Sequence, residues 1–229
     1  MKPADRDALA RTAFLGEVPR EITERLAIGA FVQTLTKGTL LFEQGQDAEF
    51  LHVLLEGRCG LVGHRTDGEE CIVEIMQAGD CFILPAVLLE APYLMGARVL
   101  DTSRIAMIPA ETLRRAFAIE PQVARAAALQ LSRYWRVLVR QIKDLKLRSA
   151  SERIAAHLAA HCGQEKSGHA LVHVEDDFRA VAARLGMTPE TWSRSIKQLD
   201  AIGVRAKGKS IEVDDIARLR TFSRFDDLT

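Results

Sequence analysis

The chain has 229 residues, of which 48% are hydrophobic and 27% charged, and its formal net charge is zero. This balance excludes a disordered chain, and without an overall basic excess any nucleic-acid interface must be sought in local charge. No apolar run reaches the length of a membrane span, and the first residues carry acids without the apolar core of a signal peptide. We therefore expect a cytoplasmic protein with no membrane partner.

The cysteines do not form a recognisable framework. Cys59, Cys71, Cys81 and Cys162 are far apart, and none belongs to a CxxC pair. This spacing predicts neither a disulfide scaffold nor a local zinc site.

The first half of the chain changes from helical to strand-like patterning. The segment PREITERLAIGA, beginning at Pro19, predicts a short helix because its apolar residues fall on one face. From Phe31 to about Pro109, short β-branched runs alternate with glycine turns, and Asp67-Gly68 gives the clearest hairpin signal. The pattern predicts an antiparallel sandwich or barrel.

A long segment from Pro121 to about Lys146 contains no glycine or proline inside it and is patterned as a helix. Its apolar residues recur at alternating spacings of four and three, which is typical of a coiled-coil seam. We predict that this helix forms a homodimer; the alternative is that it packs against the barrel. The predicted dimerisation residues are Leu131, Trp135, Leu138, Ile142 and Leu145.

The last third of the chain predicts a helix-turn-helix. Gly186 ends one apolar-periodic helix, Thr188 is suited to cap the next one, and Pro189 fits its first turn. On this second helix one face is apolar, and the opposite face is polar. Its predicted DNA-contacting residues are Thr188, Pro189, Glu190, Ser193, Arg194 and Lys197.

A hairpin follows in VRAKGKSIEV, where Lys207 and Lys209 flank Gly208. It predicts a wing whose lysines meet phosphates. Between residues 184 and 209 there are six Lys or Arg against two acids, a local basic excess within a neutral chain. We predict that this region binds double-stranded DNA, with arginine suited to a guanine edge and glutamate to a cytosine amino group.

The order of barrel, long helix and winged helix-turn-helix resembles the Crp/Fnr superfamily of bacterial transcription regulators. The segment MTPETWSRSIKQL is similar to the recognition helix with the E-x-x-S-R signature. The resemblance implies an α+β protein with a cyclic-nucleotide-binding-like (cupin-type) barrel in residues 1–118, a dimerisation helix in 119–147 and a DNA-binding domain in 148–229. It also implies a palindromic site with TTG…CAA ends, read by Glu190, Ser193 and Arg194, with RNA polymerase as a partner and activation as the default.

The sensor segment GDCFILPAVLLEAPYLMGARV departs from the cyclic-AMP-binding branch. Leu84 replaces the glutamate that holds the ribose, and Leu94 and Met95 replace the Arg-Ser pair that holds the phosphate. A buried phosphate needs charged or polar partners, so control by cyclic AMP is not expected. The clustered N-terminal cysteines of Fnr are also missing, so an iron-sulfur cluster is not expected.

The chain is most similar to the nitric-oxide-responsive Dnr/NnrR-type members, which share the PET-x-SR helix. That resemblance implies haem in an apolar pocket and control of nitrogen-oxide or anaerobic metabolism genes. The predicted cofactor-binding residues are Leu84, Leu88, Leu94, Met95 and Leu138, with His52 and His64 as candidate haem ligands; the leucines and methionine could equally be ordinary core.

The sequence also allows other hypotheses of function. A regulator without a ligand, or one controlled by thiol oxidation, is the main alternative, and an interaction module that binds cyclic nucleotides is another. His157 and His161 have a spacing that metals use, but no third ligand lies at a fixed distance, so no metal is predicted. No catalytic motif is present, so an enzyme is not predicted. For the coupling between sensor and DNA domain, we expect a hinge around Lys146–Ala150.

Overall fold

The computed structural model describes residues 1–64, 70–163, 165–174 and 178–224, apart from the side chain of Ala180. The predicted Asp67-Gly68 turn lies outside this range. The chain divides into two compact units, Met1–Arg136 and Val137–Thr229. No described helix is long and apolar enough to cross a membrane.

The strands described in the first unit are β1 (Phe31–Leu35), β2 (Leu40–Phe42), β3 (Phe50–Glu56), β4 (Arg58–His64), β5 (Glu70–Gln77), β6 (Cys81–Phe82), β7 (Gly96–Val99) and β8 (Ser103–Pro109). They form two antiparallel four-stranded sheets, with strand orders β1-β8-β3-β6 and β2-β7-β4-β5. The prediction of an antiparallel sandwich or barrel is therefore confirmed.

Alternation along the strands builds two apolar layers. Ile105 of β8 and Phe82 of β6 point into a cluster to which both sheets contribute. Ala106 and Ile108 of β8 point the other way, into a second cluster formed with the helices, which we call the helix-side apolar cluster. These helices are α1 (Pro3–Leu9), α2 (Arg20–Leu26), α3 (Leu84–Leu89), α4 (Ala110–Ile119) and the beginning of α5 (Pro121–Leu147).

The turn between β3 and β4 requires glycine. Gly57 has φ +87°, and a Cβ at this position would lie 2.6 Å from the carbonyl oxygen of Thr102. The predicted glycine punctuation therefore reflects a close backbone approach at this turn.

The long helix α5 has two different faces. Val123, Ala126, Ala127 and Gln130 are buried, and the first three belong to the helix-side apolar cluster. Leu131, predicted as a dimerisation residue, is only partly exposed because it packs against the same cluster. Packing against the sensor unit, the alternative considered from the sequence, thus describes the first half of α5.

The second unit is a winged helix-turn-helix. Its helices are α6 (Ala150–His161), α7 (Phe178–Arg184), α8 (Pro189–Gln198) and α9 (Ile216–Phe222), and its sheet β10-β11-β9 consists of β9 (Ala170–His173), β10 (Val204–Lys207) and β11 (Ser210–Val213). Ser149 and Glu152 form a capping box that starts α6. Buried Ile154, Trp192 and Ile211 join α6, α8 and β11 in one core.

Candidate nucleic-acid interface

The start of α8 is defined by its cap. The Thr188 hydroxyl accepts a hydrogen bond of 3.2 Å from the Thr191 N–H, and Pro189 occupies the first helical turn. Trp192 and Ile196 then bury one face of α8 in the core. The cap and the apolar face together fix which residues of α8 point outward.

The outward face of α8 carries the predicted DNA-contacting side chains. Glu190, Ser193, Arg194 and Lys197 are all exposed, as is Pro189. Their spacing places them in one row along the helix. The structure therefore brings the predicted residues of this helix together on a single polar surface.

Glu190 is held as a carboxylate at the beginning of this row. Hydrogen bonding from its own backbone N–H, then from the Thr188 hydroxyl, lowers its pKa, and the positive charges of Arg194 and Arg179 lower it further. An ionised Glu190 is an acceptor only, which is the state needed to bind a cytosine amino group.

A groove of about 770 Å³ separates α8 from the first strand of the hairpin. Ser193 and Lys197 border it from α8, Arg205 from β10 and Arg179 from α7. Arg179 was not among the predicted contacts. In the sequence Arg179 is a positive charge at the start of the first helix of the motif. Many surface arginines have such a position, so it does not identify a DNA contact.

The hairpin has the turn expected of a wing. Lys207 pairs with Ser210 across it, and Gly208 has φ +64° in the first central position, where a type II′ turn requires glycine. Lys207, Gly208 and Lys209 are all exposed at the tip. Both predicted wing lysines are therefore placed to reach a backbone phosphate.

The ion pairs reduce the basic excess counted from the sequence. Arg205 pairs with Asp214 at 3.0 Å, and Nζ of Lys207 lies 3.9 Å from Glu212. Arg184 is directed to α6, where its Nη2 lies 3.4 Å from Nδ1 of His157. Arg184 has no ion pair but is half-buried and directed inward, so the exposed cations without an ion pair in the described residues are Arg194, Lys197 and Lys209.

The second half of α5 exposes the predicted apolar seam. Trp135 is 68% exposed, and Leu138, Ile142 and Leu145 are each half exposed. In this single chain these four side chains therefore remain at least half exposed. Exposed apolar side chains in a regular row are typical of a surface that a partner covers.

The structure places the predicted cofactor-pocket residues in different environments. Leu84 is fully buried in the helix-side cluster, and Leu88 packs against that same cluster. Met95 instead packs against the cluster to which both sheets contribute, while its neighbour Leu94 is 84% exposed. The structure therefore does not bring Leu84, Leu94 and Met95 together in one cluster.

The candidate haem ligands differ in environment. His52 is buried among Phe42, Phe82 and Tyr93, with ring centroids 4.9, 5.6 and 6.2 Å away. Burial lowers its pKa to about 3, and among the described residues its Nδ1 has no hydrogen-bond partner. His64 is exposed. The aromatic rings enclose the imidazole of His52, whereas His64 lies at the surface, and haem ligation by either residue stays a prediction.

The histidine pair of α6 is structural in character. The His157 and His161 rings lie 4.2 Å apart, and burial, with the charges of His161 and Arg184, lowers the pKa of His157 to about 3. A guanidinium beside an imidazole opposes binding of a metal cation. Within the described residues no group of three or more His, Cys, Asp or Glu is placed to hold a metal ion.

Two of the thiols are poorly suited to redox sensing. Cys59 and Cys81 are fully buried, and burial raises the pKa of Cys59 to about 11 and that of Cys81 further still. A thiolate is the reactive form, so oxidation at these positions is disfavoured. Cys71 and Cys162 are partly exposed.

Comparison with known families gives two matches. Residues 32–120 match the cyclic nucleotide-binding domain, and residues 152–222 match the Crp-like helix-turn-helix domain. Together the matches cover more than two thirds of the chain and fall on the sandwich and the winged unit respectively.

The chain is similar to known regulators along most of its length. It is 23% identical over 192 residues to the CRP-like cAMP-activated global transcriptional regulator of Mycobacterium tuberculosis, covering 82% of this chain and 86% of that protein. A solved structure of a candidate cyclic nucleotide binding protein from Ruegeria pomeroyi is 26% identical, with a TM-score of 0.61, and covers 97% of this chain and 98% of that one.

The structure of DNR from Pseudomonas aeruginosa is also similar. The two are 21% identical, with a TM-score of 0.53, and the match covers 97% of this chain and 99% of the DNR chain. Identity at this level shows a shared fold. Resemblance to the Dnr/NnrR-type members in particular therefore stays a prediction.

Proposed function

Since the chain belongs to the Crp/Fnr family of transcription regulators, we propose that it binds duplex DNA as a homodimer and reads a palindrome with TTG…CAA ends. The chain is a transcription regulator with a helix-turn-helix domain, like its relatives, and not an enzyme. The observation that carries the proposal is the exposed row of Glu190, Ser193, Arg194 and Lys197 on a helix whose other face is locked in the core.

Base recognition is assigned to the first half of α8. Arg194 has no ion pair in the described residues, and its Nη2 donates only a weak contact of 3.5 Å to Oγ1 of Thr191. Its guanidinium fork is therefore available for a guanine edge, while the ionised Glu190 accepts from a cytosine. Lys197 and Lys209 supply positive charge for backbone phosphates. Such contacts increase the affinity for any DNA sequence alike.

Homodimerisation is assigned to α5. Trp135, Leu138 and Ile142 repeat at coiled-coil spacing and are exposed in the single chain. In a homodimer the seam of each copy would cover the same seam of the other copy, as a two-fold interface requires. Two recognition helices about 34 Å apart would then meet successive half-sites of a palindrome.

The effector is proposed to differ from that of the cAMP-activated relatives. Leu84 is enclosed by apolar side chains, and neither Leu94 nor Met95 offers a charge or a donor to a cyclic phosphate. Binding of cyclic AMP would therefore leave the phosphate without partners at these positions. A thermal shift assay with cyclic AMP should show no stabilisation, and a shift that rises with nucleotide concentration would contradict this.

Haem-based sensing of nitric oxide, the associated gene set and contact with RNA polymerase stay predictions of the resemblance. A saturable Soret band in an anaerobic haem titration that shifts with nitric oxide would establish the first. A featureless titration would indicate a regulator whose activity is controlled by another ligand, by thiol oxidation at Cys71 or Cys162, or by its own abundance.

The proposed DNA function is tested by fluorescence anisotropy with a labelled TTG…CAA palindrome and a scrambled duplex of the same composition. We expect tighter binding to the palindrome at every salt concentration and a steep loss of affinity for both as salt rises. Equal affinity for the two duplexes would overturn sequence-specific recognition. Absence of any salt dependence would overturn DNA binding through the basic surface.

A further inference from the structure

The junction between α5 and α6 is joined to the helix-turn-helix by one side chain. Arg153 lies in the first turn of α6, and its guanidinium donates to three backbone carbonyls. Nη1 donates to Arg148 at 2.9 Å, Nε to Leu185 at 2.9 Å and Nη2 to Gly186 at 3.4 Å. Arg148 follows the end of α5, and the other two residues form the turn that precedes α8. A single fork thus links the end of the long helix to the entrance of the recognition helix.

A second contact joins the same two places. The turn residue Gly186 has φ +65°, and a Cβ there would lie 2.4 Å from Cδ2 of Leu145 on α5. The positive φ favours glycine, and a larger residue at this position would also displace the Leu145 side chain. Leu145, predicted as a dimerisation residue, therefore also packs on the helix-turn-helix of its own chain.

The junction is also fixed from its other side. Arg148 donates through Nη1 to Asp144 at 2.5 Å and through Nη2 to the carbonyl of Arg224 at 2.9 Å. The segment around Lys146–Ala150, predicted as a hinge, is thus spanned by hydrogen bonds from Arg148 and Arg153. In agreement with this, the last part of α5 belongs to the same compact unit as the winged domain, Val137–Thr229.

We propose that Arg153 is a positioning residue that sets the direction of α8 relative to the end of α5, and so selects the distance between half-sites that the dimer accepts. The inference rests on the proposed function, because it requires two copies joined through α5. If α8 is held rigidly on α5, the separation and rotation of the two recognition helices are fixed. Adding one base pair turns a half-site by about 34° around the DNA axis, so a rigid dimer tolerates few spacings.

The chemistry of the site requires arginine in particular. Its planar fork carries five N–H donors in fixed directions, enough for three carbonyls at once. A lysine ammonium is a compact group that cannot reach three carbonyls in these directions. Arg153→Lys should therefore keep the charge and most of the packing and lose the positioning.

The experiment measures the affinity of the full-length protein for a series of palindromes whose central spacer is shortened or lengthened by one and two base pairs. Wild type, Arg153→Ala and Arg153→Lys are compared with Arg218→Ala. Arg218 is the matched control because its Nη2 also donates to a backbone carbonyl of the same unit, that of Ala201 at 2.9 Å, without reaching α5. Circular dichroism reports folding; if the alanine variant unfolds, the lysine variant decides.

We expect wild type and Arg218→Ala to prefer one spacing by roughly tenfold over its neighbours. Both Arg153 variants should bind all spacings within about threefold, while they still distinguish TTG from a scrambled half-site. A purely structural role would weaken every duplex alike and leave the spacing preference intact; that result overturns the inference alone. A wild type that does not distinguish the palindrome from scrambled DNA overturns the proposed function, and the inference with it.

Discussion

The phenol of Tyr134 on α5 donates a hydrogen bond to the backbone carbonyl of Cys81 in β6. Burial is the main reason why the pKa of Tyr134 lies well above its usual value, so the phenol stays protonated and remains a donor. Ile83, two residues after Cys81, has φ +71°, an unusual conformation for a β-branched residue. The bond therefore ties α5 to a sensor segment whose backbone is constrained, and movement of that segment would be transmitted to α5.

Removal of the phenol should destabilise the sensor unit. Tyr134→Phe leaves the Cys81 carbonyl without this donor, and an unsatisfied buried acceptor costs about 1–3 kcal/mol of the free energy of unfolding. Chemical denaturation followed by circular dichroism measures it. Tyr93→Phe is the control, since its hydroxyl donates to the Phe50 carbonyl at a longer 3.4 Å and should matter less. Equal effects of the two variants would contradict the assigned bond.

His52 should make the protein sensitive to acid. Burial lowers its folded pKa to about 3, whereas the unfolded chain titrates near the ordinary value of about 6.5. Between these values the unfolded state binds more protons, so stability is fully present above about pH 6.5 and is lost as the pH falls toward 3. His52→Phe should flatten this slope and, by removing the unpartnered Nδ1, raise stability at pH 5.

The slope should flatten only in part, because the pKa of His157 is lowered to about 3 as well. Unfolding midpoints in urea at several pH values, compared between wild type and His52→Phe, isolate the contribution of the one histidine. Parallel curves for the two proteins would show that His52 is not a buried neutral group.

Arg194 should determine sequence preference. Arg194→Ala is expected to cost roughly 1–3 kcal/mol in binding to the palindrome and to relax the base preference at one position. Competition binding against duplexes with single base changes measures both quantities. Retention of the full preference by the variant would show that another side chain reads that base.

Lys209→Ala is the matched control for Arg194→Ala, since both residues are exposed cations without an ion pair in the described chain. It should weaken palindrome and scrambled DNA alike and lower the salt slope by about one. Lys207→Ala should have a smaller effect, because Glu212 already lies 3.9 Å from its Nζ.

The exposed seam of α5 should hold the dimer together. Ile142→Asp would place a charge without a partner inside a coiled-coil interface, and the dimer should dissociate. Sedimentation velocity measures the mass, and Arg140→Asp, which changes charge at an exposed residue of the same helix outside the predicted seam, is the control. An Ile142→Asp protein that sediments like wild type would place the interface elsewhere.

The polar outward face of α8 and the turn of the wing could be predicted from the sequence because their signals are local. The cap at Thr188, the apolar spacing of Trp192 and Ile196 and the glycine turn at Gly208 each act within a few residues, so they fix the outward face directly. The predicted order of sandwich, long helix and winged motif follows from similar local periods.

The sensor pocket could not be predicted in this way, because it depends on side-chain direction in three dimensions. Leu84, Leu94 and Met95 share one short segment, yet they end in an apolar cluster, in solvent and in a second cluster respectively. The hydrogen bonds of Arg153 could not be predicted for a related reason. Its acceptors are backbone carbonyls up to 33 positions away, and every residue has a carbonyl, so the residue type of the acceptor gives no signal.

DNA recognition by a homodimer is tested most directly by an unbiased selection of duplexes from a randomised pool by the purified full-length protein, followed by sequencing. We expect enrichment of a palindrome with TTG…CAA ends and one dominant spacing, and loss of this enrichment when Arg194 is replaced by alanine. Enrichment of a single unpaired half-site, or of no sequence at all, would contradict recognition by a homodimer through α8.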